Sequence, residues 1–359
     1  MTRDIILSNN PSPDDGDDED PKDPNRLSNN PSPDDDDPHL RPRRLAEMVG
    51  QRDVINRLEI AIDAAKKRKE VLGHILFDGP PGLGKTTFAT VIPAEMDVPV
   101  DFLSGPTLKA PKDLVPSLTN LRPSQVLFID EIHRIPKSVE EYLYTAMEDF
   151  RIDMILGDGI NARTHTFKLK PFTLIGATTR AGMLTGPLRD RFQIREHLGF
   201  YSLEELTEII RRNAEKLKIE IGDEAAVEIA YRSRSTPRVA NNRLRWVRDY
   251  AQSRADGKIT VAVAKKALEV AEIDVLGLDR QDRQYLDTLM RICLGGPTGI
   301  ETIAATMNTA SDTLSDEVEP FLLRSELILR TPRGRVATPK AYDHMSLPVP
   351  DRENQEGLF

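Results

Sequence analysis

A glycine-rich segment has the residue types and spacing that bind a polyphosphate. It reads GPPGLGKT over Gly79–Thr86 and matches the pattern G-x-x-x-x-G-K-[ST]. Glycines such as Gly82 and Gly84 let backbone N–H groups approach phosphate oxygens, and a helix that starts there adds positive potential. The pattern predicts three roles: neutralisation of the β and γ phosphates by Lys85, ligation of Mg²⁺ by Thr86, and proximity to the α phosphate for Thr87.

Two acidic residues follow an apolar run that is typical of a buried strand. Asp130 and Glu131 come directly after Val126–Ile129. An acid at the carboxyl end of such a strand faces the crevice where parallel sheets bind ligands. We expect Asp130 to hold Mg²⁺ through water and Glu131 to polarise the water that attacks the γ phosphate. Together with the glycine-rich segment, this pair indicates a P-loop NTPase that hydrolyses its nucleotide.

Polar and basic residues further along the chain are candidates for sensing the γ phosphate. Thr179 ends the next apolar strand, where its hydroxyl suits a phosphate oxygen; a helix cap is the alternative. Arg189 and Arg191 are arginine-finger candidates because a guanidinium matches the charge that develops on phosphate; surface salt bridges are the alternative. Arg238 follows Pro237 at a predicted helix start, from which its side chain could reach the nucleotide.

The pattern of apolar runs predicts the elements that position these residues. Three near-continuous strands, Ile75–Phe77, Val126–Ile129 and Phe172–Ala177, alternate with helical segments. This alternation indicates an α/β fold with a parallel sheet that is covered on both faces. After Tyr201 the pattern becomes helical. Residues 280–345 predict three short helices and a β-hairpin, which together suggest a winged helix.

These elements divide the chain into five parts. Residues 151–156 and 162–169 flank a Gly-Asp-Gly turn and predict a β-hairpin inserted before the third strand. The P-loop core is followed by a helical lid and a C-terminal winged helix. The predicted boundaries are a tail at 1–39, the core at 40–200 with the hairpin 151–170, the lid at 201–275, the winged helix at 276–346 and a second tail at 347–359.

The net charge is confined to the N-terminal tail. The chain has 359 residues and a formal charge of −9, and its first 40 residues contain 12 acids and three bases. The nonapeptide LSNNPSPDD occurs at residues 7–15 and again at 27–35. An acidic, proline-rich segment with so few apolar residues predicts disorder. Its role is either that of a solubilising arm or that of a DNA mimic that competes for a basic surface.

The composition argues against several classes of protein. No stretch approaches the roughly 18 apolar residues of a membrane span, and the apolar run at the start is too short for a secretory signal. The single cysteine, Cys293, excludes an intramolecular disulfide and a multi-cysteine metal site. We therefore expect a soluble, cytoplasmic protein.

Extended motifs make the chain resemble the RuvB family of AAA+ ATPases, the bacterial motors of Holliday-junction branch migration. The likeness runs from Arg41 to about His344. Its general motifs are the phosphate loop, Asp130–His133, Gly176–Arg180 and Pro187–Phe192. Its narrower motifs are Ala146–Phe150, Ser233–Arg238 and Arg330–Arg335.

The resemblance implies an ATP-driven, Mg²⁺-dependent homo-hexamer that pumps duplex DNA in recombination and repair. It implies that Thr179 is sensor 1, that Arg238 is sensor 2, and that Arg191 is a finger inserted into the neighbouring subunit's site. Beyond the phosphate loop, the nucleotide-binding residues it implies are Leu40, Arg41, Glu148, Asp149, Phe150, Arg191, Tyr201 and Arg238. Without the resemblance, Tyr201 would be interpreted as a core aromatic.

The resemblance also implies two protein partners. The hairpin 151–170 is the surface that docks on a RuvA-like junction-binding protein, and a RuvC-like resolvase belongs to the wider complex. Apolar residues of the first strand suit such a contact, and burial in the chain's own core is the alternative. These residues are Ile152, Met154, Ile155 and Leu156.

The predicted winged helix has a compact basic wing. Residues 327–342 contain four bases and no acid: Arg330, Arg333, Arg335 and Lys340. The preceding helix is acidic and therefore a poor reader of base edges in a major groove. We predict DNA binding that is insensitive to sequence and strongly weakened by salt. The family's DNA contacts fall on Arg330 and Arg335; surface salt bridges are the alternative.

Several residues depart from the family pattern. Gln193, Ser235 and Glu326 stand where the family has glycine, Pro93 lies within the helix after the phosphate loop, and Trp246 replaces a basic residue. Proline inside a helix removes a hydrogen bond and can kink it. These departures could loosen the lid or change the DNA step without touching the catalytic set.

Two other functions stay open. A replication initiator or clamp-loader-like switch also combines an AAA+ core with DNA binding, and it would hydrolyse ATP slowly without translocating. A non-catalytic, ATP-gated scaffold would bind nucleotide and DNA with negligible turnover, because the departures would have disabled ring cycling.

Overall fold

The structure is a computed structural model, and it describes residues 39–156 and 163–350. The acidic repeat, the turn at 157–159 and most of the C-terminal tail lie outside these residues. Within them, no helix is both long and apolar enough to cross a membrane.

The first part of the chain forms a five-stranded, fully parallel sheet with helices around it. The strand order is β2-β3-β6-β1-β7. Its elements are α1 (Arg52–Arg68), β1 (Ile75–Asp78), α2 (Lys85–Met96), β2 (Val100–Ser104), α3 (Pro111–Thr119), β3 (Val126–Asp130), α4 (Lys137–Asp149), β4 (Arg151–Leu156), β5 (Arg163–Lys168), β6 (Thr173–Thr178), α5 (Gly186–Asp190) and β7 (Ile194–His197).

The three strands predicted from the sequence occupy the middle of this sheet as β1, β3 and β6. Their apolar runs are buried because helices cover both faces, so the predicted α/β class is confirmed. The two edge strands, β2 and β7, were not predicted. Strand β2 contains Asp101, and β7 reads Ile-Arg-Glu-His, so neither shows a continuous apolar run.

The edge strand β7 contains a buried carboxylate. Glu196 is 3% exposed, and its Oε1 accepts a hydrogen bond from Arg57 Nε of α1 at 2.8 Å. A buried charge is tolerated when it is paired in this way. The pair fastens α1 to the sheet, beside the apolar contacts that Val54, Leu58 and Ile62 make with the core.

The second part is a bundle of four helices that forms the lid. These are α6 (Leu203–Lys216), α7 (Asp223–Tyr231), α8 (Pro237–Arg254) and α9 (Val261–Val270). Helix α6 begins with a capping box: Ser202 Oγ accepts from Glu205 N at 3.2 Å, and Glu205 Oε2 accepts from Ser202 N at 2.8 Å. The lid shares one hydrophobic core with the sheet's α1–α2 side.

The third part is a winged helix with its own hydrophobic core. Its elements are α10 (Arg280–Asp287), α11 (Ile300–Thr306), α12 (Ser311–Thr313), α13 (Glu319–Arg324), β8 (Ile328–Thr331), β9 (Gly334–Ala337) and α14 (Pro339–His344). Strands β8 and β9 pair antiparallel and form the wing. The predicted hairpin is therefore present.

Ion pairs join the winged helix to the other two parts. Arg234, in the loop before α8, contacts Asp279 at 2.5 Å and the fully buried Asp282. Arg180, which follows β6, binds Asp312 at 2.8 Å and Asp316 at 2.9 Å. The residue next to the predicted γ-phosphate sensor therefore contacts the predicted DNA-binding domain directly.

Candidate nucleotide site

The glycine-rich loop connects β1 to α2 and closes around one lysine. Lys85 is the first residue of α2 and is 8% exposed; its Nζ donates to Gly79 O and Pro80 O, both at 2.8 Å. Gly82 and Gly84 have φ of 77° and 101°, in the left-handed region that disfavours a side chain. The loop backbone is therefore already curled in the conformation that presents N–H groups to an anion.

Burial makes Lys85 sensitive to an anionic ligand. Burial lowers the pKa of this lysine to about 8, the negative charge of Asp130 opposes the shift, and Arg238 lowers it further. Water is largely excluded from the ammonium group, so a phosphate close to it would stabilise the charged form and raise the pKa again.

The acidic pair lies where β3 ends. Ser104 and Asp130 are paired in register at the carboxyl ends of β2 and β3. Asp130 Oδ1 accepts a hydrogen bond from Glu131 N at 2.8 Å. Glu131 has φ of 47°, and its Oε2 accepts from Arg134 Nη1 at 2.9 Å. Strand pairing thus brings a hydroxyl and two carboxylates to one edge of the sheet.

A single cavity collects most of the residues that were predicted to bind nucleotide. It lies between the core and the lid. The predicted residues that line it are Leu40, Arg41, Gly82, Gly84, Lys85, Thr86, Thr87, Asp130, Glu131, Thr179, Tyr201 and Arg238.

Hydroxyl and carboxylate oxygens in this cavity fit a magnesium ion. Thr86 and Asp130 both line it, and Mg²⁺ prefers a few hard oxygen ligands supplemented by water and phosphate. The hydroxyl of Thr179 also belongs to the cavity; it is buried and has no hydrogen-bond partner within the part of the chain that the structure describes. Such a group is normally satisfied by a ligand or by water.

Tyr201 is both a core residue and a wall of the cavity. It is 3% exposed, packs in the core cluster that the sheet shares with the lid, and donates from its hydroxyl to Leu83 O at 3.3 Å. Burial raises the pKa of its phenol far above the usual range, so the side chain stays neutral. The two interpretations of Tyr201 from the sequence are therefore compatible.

Sequence reasoning missed a group of lid residues that line the same cavity. Ile209, Arg212, Asn213 and Lys216 occur on one face of α6, and Asn241 of α8 lies opposite. Asn213 Nδ2 donates to Asn241 Oδ1 at 2.7 Å in a buried position. Their spacing of three and four residues on an amphipathic helix was visible, but it predicts only a shared face and not what that face contacts.

Four predicted nucleotide-binding residues do not line this cavity: Glu148, Asp149, Phe150 and Arg191. Arg191 Nη2 binds Glu148 Oε2 at 2.9 Å instead. Asp149 pairs with Arg151 at 3.3 Å, and Phe150 packs edge-on against Phe172 with ring centroids 5.9 Å apart. Within 39–156 and 163–350, the structure thus groups Arg191 and Glu148 at a location outside the chain's own cavity.

The inserted hairpin consists of β4 and β5, which pair antiparallel. Ile152 is fully buried in the chain's own core, and Met154 packs partly against it. Ile152 is therefore buried in the chain's own core and does not offer the apolar surface that was suggested for a partner. Phe167, opposite Ile152 on β5, is 40% exposed.

The wing arginines share one buried carboxylate. Glu319 is 0% exposed and contacts Arg330, Arg335 and the hydroxyl of Tyr285. Arg335 Nε lies 2.7 Å from Glu319 Oε1, and its side chain is 16% exposed, whereas that of Arg330 is 51% exposed. Arg333 is exposed at the tip. The salt-bridge alternative therefore describes the contacts of Arg335 and Arg330 in this structure.

The departures from the family pattern have local explanations. Ser235 and Glu326 have φ of 56° and 58°, so both occupy the left-handed backbone for which glycine is the usual choice. Gln193 Oε1 accepts from His74 N at 2.6 Å, and Trp246 Nε1 donates to Ala267 O at 2.6 Å. Pro93 lies in the last turn of α2, where the lost hydrogen bond interrupts little of the helix.

The parallel sheet carries a phosphate loop and an acidic strand end, and a helical lid and a winged helix follow it in the chain. This combination defines an AAA+ P-loop ATPase. Three family models match consecutive parts of the chain. The RuvB P-loop domain of Holliday junction DNA helicases matches residues 40–198, the RuvB AAA lid domain matches 201–274, and the RuvB C-terminal winged-helix domain matches 275–346. The chain belongs to the RuvB family.

Individual relatives agree with these models. The Holliday junction branch migration complex subunit RuvB of Rhodopirellula baltica is 68% identical over 313 residues, which are 87% of this chain and 86% of the relative. The solved structure of the Thermotoga maritima RuvB branch migration motor is 47% identical, covers 87% of this chain and all of its own, and has a TM-score of 0.80. A variant of that protein gives a TM-score of 0.81 at 47% identity, over 87% of this chain and 99% of its own.

Proposed function

We propose that this chain is the ATP-hydrolysing subunit of a ring motor that translocates duplex DNA and thereby drives branch migration of Holliday junctions in recombination and repair. One observation carries the proposal. The phosphate loop, Asp130, Glu131, Thr179 and Arg238 line one cavity, and Arg191 lies outside it. This arrangement supports a hydrolytic site that a second subunit completes.

The substrate is ATP, and the cavity supplies a group for each part of it. Apolar side chains from Leu40, Met48, Val49 and Ile209 form a surface for the base. The loop N–H groups and Lys85 bind the phosphates. Thr86 and Asp130 would hold Mg²⁺, which would neutralise phosphate charge when bound.

Hydrolysis needs a water positioned for in-line attack on the γ phosphate. Glu131 accepts a hydrogen bond from that water and polarises it, once its carboxylate leaves Arg134. The hydroxyl of Thr179, which has no hydrogen-bond partner among the described residues, donates to a γ-phosphate oxygen. Arg238, on the first turn of the lid helix α8, contacts the phosphates from the opposite wall, so that hydrolysis changes the position of the lid.

The finger acts between subunits. Arg191 of one subunit enters the cavity of its neighbour and stabilises the charge that develops on the transferred phosphate, together with Glu148, Asp149 and Phe150 at the same interface. Each cavity is then complete only in an oligomer. We propose a homo-hexamer, which encloses duplex DNA.

The DNA and protein contacts lie on the two appendages. The wing contacts DNA phosphates through Arg330, Arg333 and Arg335, without reading bases. The hairpin β4–β5 docks on a RuvA-like junction-binding protein with exposed side chains such as that of Phe167, and a RuvC-like resolvase joins the wider complex. The motor acts on chromosomal DNA in the cytoplasm.

Steady-state ATP turnover and migration of a fluorescent four-way junction test the proposal on the full chain, with and without the junction-binding partner. Lys85→Ala should lower turnover about 100-fold or more, because it removes a cation from the transferred phosphate. Lys258→Ala is the matched control, since Lys258 is an exposed lid lysine paired with Glu220. Turnover without junction migration would indicate a switch instead, and ATP binding without turnover would indicate a scaffold.

A further inference from the structure

Arg191 is held in place on three sides before any neighbour arrives. Its guanidinium carbon lies 4.5 Å above the ring of Tyr144. Its Nη1 donates to Pro187 O at 2.7 Å, and its Nη2 donates to Glu148 Oε2 at 2.9 Å. Its buried Nε has no hydrogen-bond partner among the residues the structure describes. These three contacts fix the direction of the side chain.

Tyr144, whose ring face contacts the guanidinium, is itself held by hydrogen bonds. Its hydroxyl donates to Glu140 Oε1 at 2.8 Å and lies 3.0 Å from Thr185 Oγ1. Thr185 caps α5, the short helix that leads into Arg191, by accepting from Leu188 N at 3.3 Å. Glu140 is buried and also accepts from Thr185. The ring is thereby bonded to the segment that carries the finger.

The supporting residues form a stripe on one helix. Glu140, Tyr144 and Glu148 are spaced by four residues on α4, so their side chains lie on one face. Helix α4 begins shortly after Glu131 and ends where the hairpin strand β4 begins. The same rigid element thus connects the catalytic strand end, the finger and the predicted partner-binding hairpin.

We infer that Tyr144 is a positioning residue for the arginine finger and that Glu148 is its partner in this role. The inference rests on the proposed function, in which Arg191 acts on a neighbour's nucleotide. An arginine side chain that is free to rotate loses several rotamers when it inserts between subunits, whereas a preset guanidinium loses few. Placement within a fraction of an ångström also decides how well a charge stabilises a transition state.

A double-variant cycle tests whether Tyr144 acts through Arg191. Tyr144→Leu removes the ring face and should lower ATP turnover about tenfold, with the Kd for ATP changed less than twofold. Tyr144→Phe keeps the ring and should recover most of that loss. Arg191→Ala should nearly abolish turnover, and adding Tyr144→Leu to it should have no further effect. If Tyr144→Leu lowered turnover by the same factor in the wild type and in Arg191→Ala, the inference would be overturned. It would also be overturned if Tyr144→Leu turned over ATP at the wild-type rate.

Tyr142→Leu is the matched control, because this tyrosine lies two residues away on another face of α4. It should leave turnover within twofold of wild type. An equal loss for Tyr142→Leu would assign the effect to the fold of α4 and would also overturn the inference.

Mixed rings separate this inference from the proposed function. Subunits with Lys85→Ala lack a working cavity but present an intact finger. Adding them to Arg191→Ala subunits should restore turnover severalfold, and adding them to Tyr144→Leu subunits should do the same. Recovery in the first mixture alone would show that Tyr144 does not act through the finger. If neither mixture recovered turnover while Tyr144→Leu still had no further effect in the Arg191→Ala background, Tyr144 would remain the positioning residue. The action of Arg191 on a neighbouring subunit would then be refuted.

Discussion

The nucleotide cavity and the wing both present basic residues, but the structure uses those residues differently. In the cavity, Lys85 donates to two backbone carbonyls, and the hydroxyl of Thr179 has no hydrogen-bond partner within the part of the chain that the structure describes. In the wing, Arg335 and Arg330 already share the buried carboxylate of Glu319. A basic residue held by carbonyls can turn to a ligand at low cost, whereas one that neutralises a buried acid cannot leave without making that acid a buried, unpaired charge.

The largest effect that this comparison predicts is at Glu319. Glu319→Gln should destabilise the winged helix by about 3–5 kcal/mol, because it leaves arginine charge without its buried partner. Chemical denaturation followed by fluorescence or circular dichroism measures the change. Glu326→Gln is the matched control, since Glu326 is exposed and lies 3.6 Å from Lys340; it should change stability by less than about 0.5 kcal/mol.

Acid titration sharpens the same prediction. Burial alone would raise the pKa of Glu319, but hydrogen bonds from Arg335, Arg330 and Tyr285 outweigh it and lower the pKa. A carboxylate with a lowered pKa contributes stability above its unfolded pKa and loses it as the pH falls through its folded pKa. The difference between the wild type and Glu319→Gln should therefore shrink below about pH 4. A constant difference across that range would show that the pairing is not the source of the stability.

An intermediate effect is expected for ATP binding as the pH rises. Burial lowers the pKa of Lys85 to about 8. Below pH 8 the lysine is charged before and after binding, whereas above pH 8 binding takes up a proton. Affinity should therefore fall by up to about tenfold per pH unit above 8. Calorimetry at pH 8.5 in two buffers of different ionisation enthalpy should detect the proton, and the signal should vanish in Lys85→Met.

The smallest effect is expected in the wing. Arg333 is exposed at the tip, so Arg333→Ala should weaken duplex binding about threefold, reduce the salt slope by about one and leave the Tm unchanged. Arg335→Ala should lower the Tm in addition to weakening DNA binding, because Arg335 neutralises Glu319. Fluorescence anisotropy at several salt concentrations measures DNA binding, and thermal melts of the same samples measure the Tm. If Arg335→Ala weakened DNA binding more than Arg333→Ala without lowering the Tm, the contrast between wing and cavity would be wrong.

Much of the fold was predictable because its signals are local. The central strands β1, β3 and β6 are runs of apolar residues, and the lid helices repeat apolar positions every three or four residues. Edge strand β7 was not predicted because it contains charged residues and therefore shows no apolar run. One of them is buried only because it is paired with a residue of a helix far away in the sequence. Glu196 of β7 is paired with Arg57, 139 residues earlier in the chain.

The sequence by itself determined the phosphate-binding half of the cavity. Its loop and acidic strand end are contiguous segments whose chemistry follows from the residues they contain. Only the tertiary structure decided that Tyr144 and Glu148 hold Arg191 and that Glu319 holds the wing arginines. The physical reason is that ion pairs and cation–π contacts depend on distances of a few ångströms, and folding sets those distances between residues that are far apart in the chain.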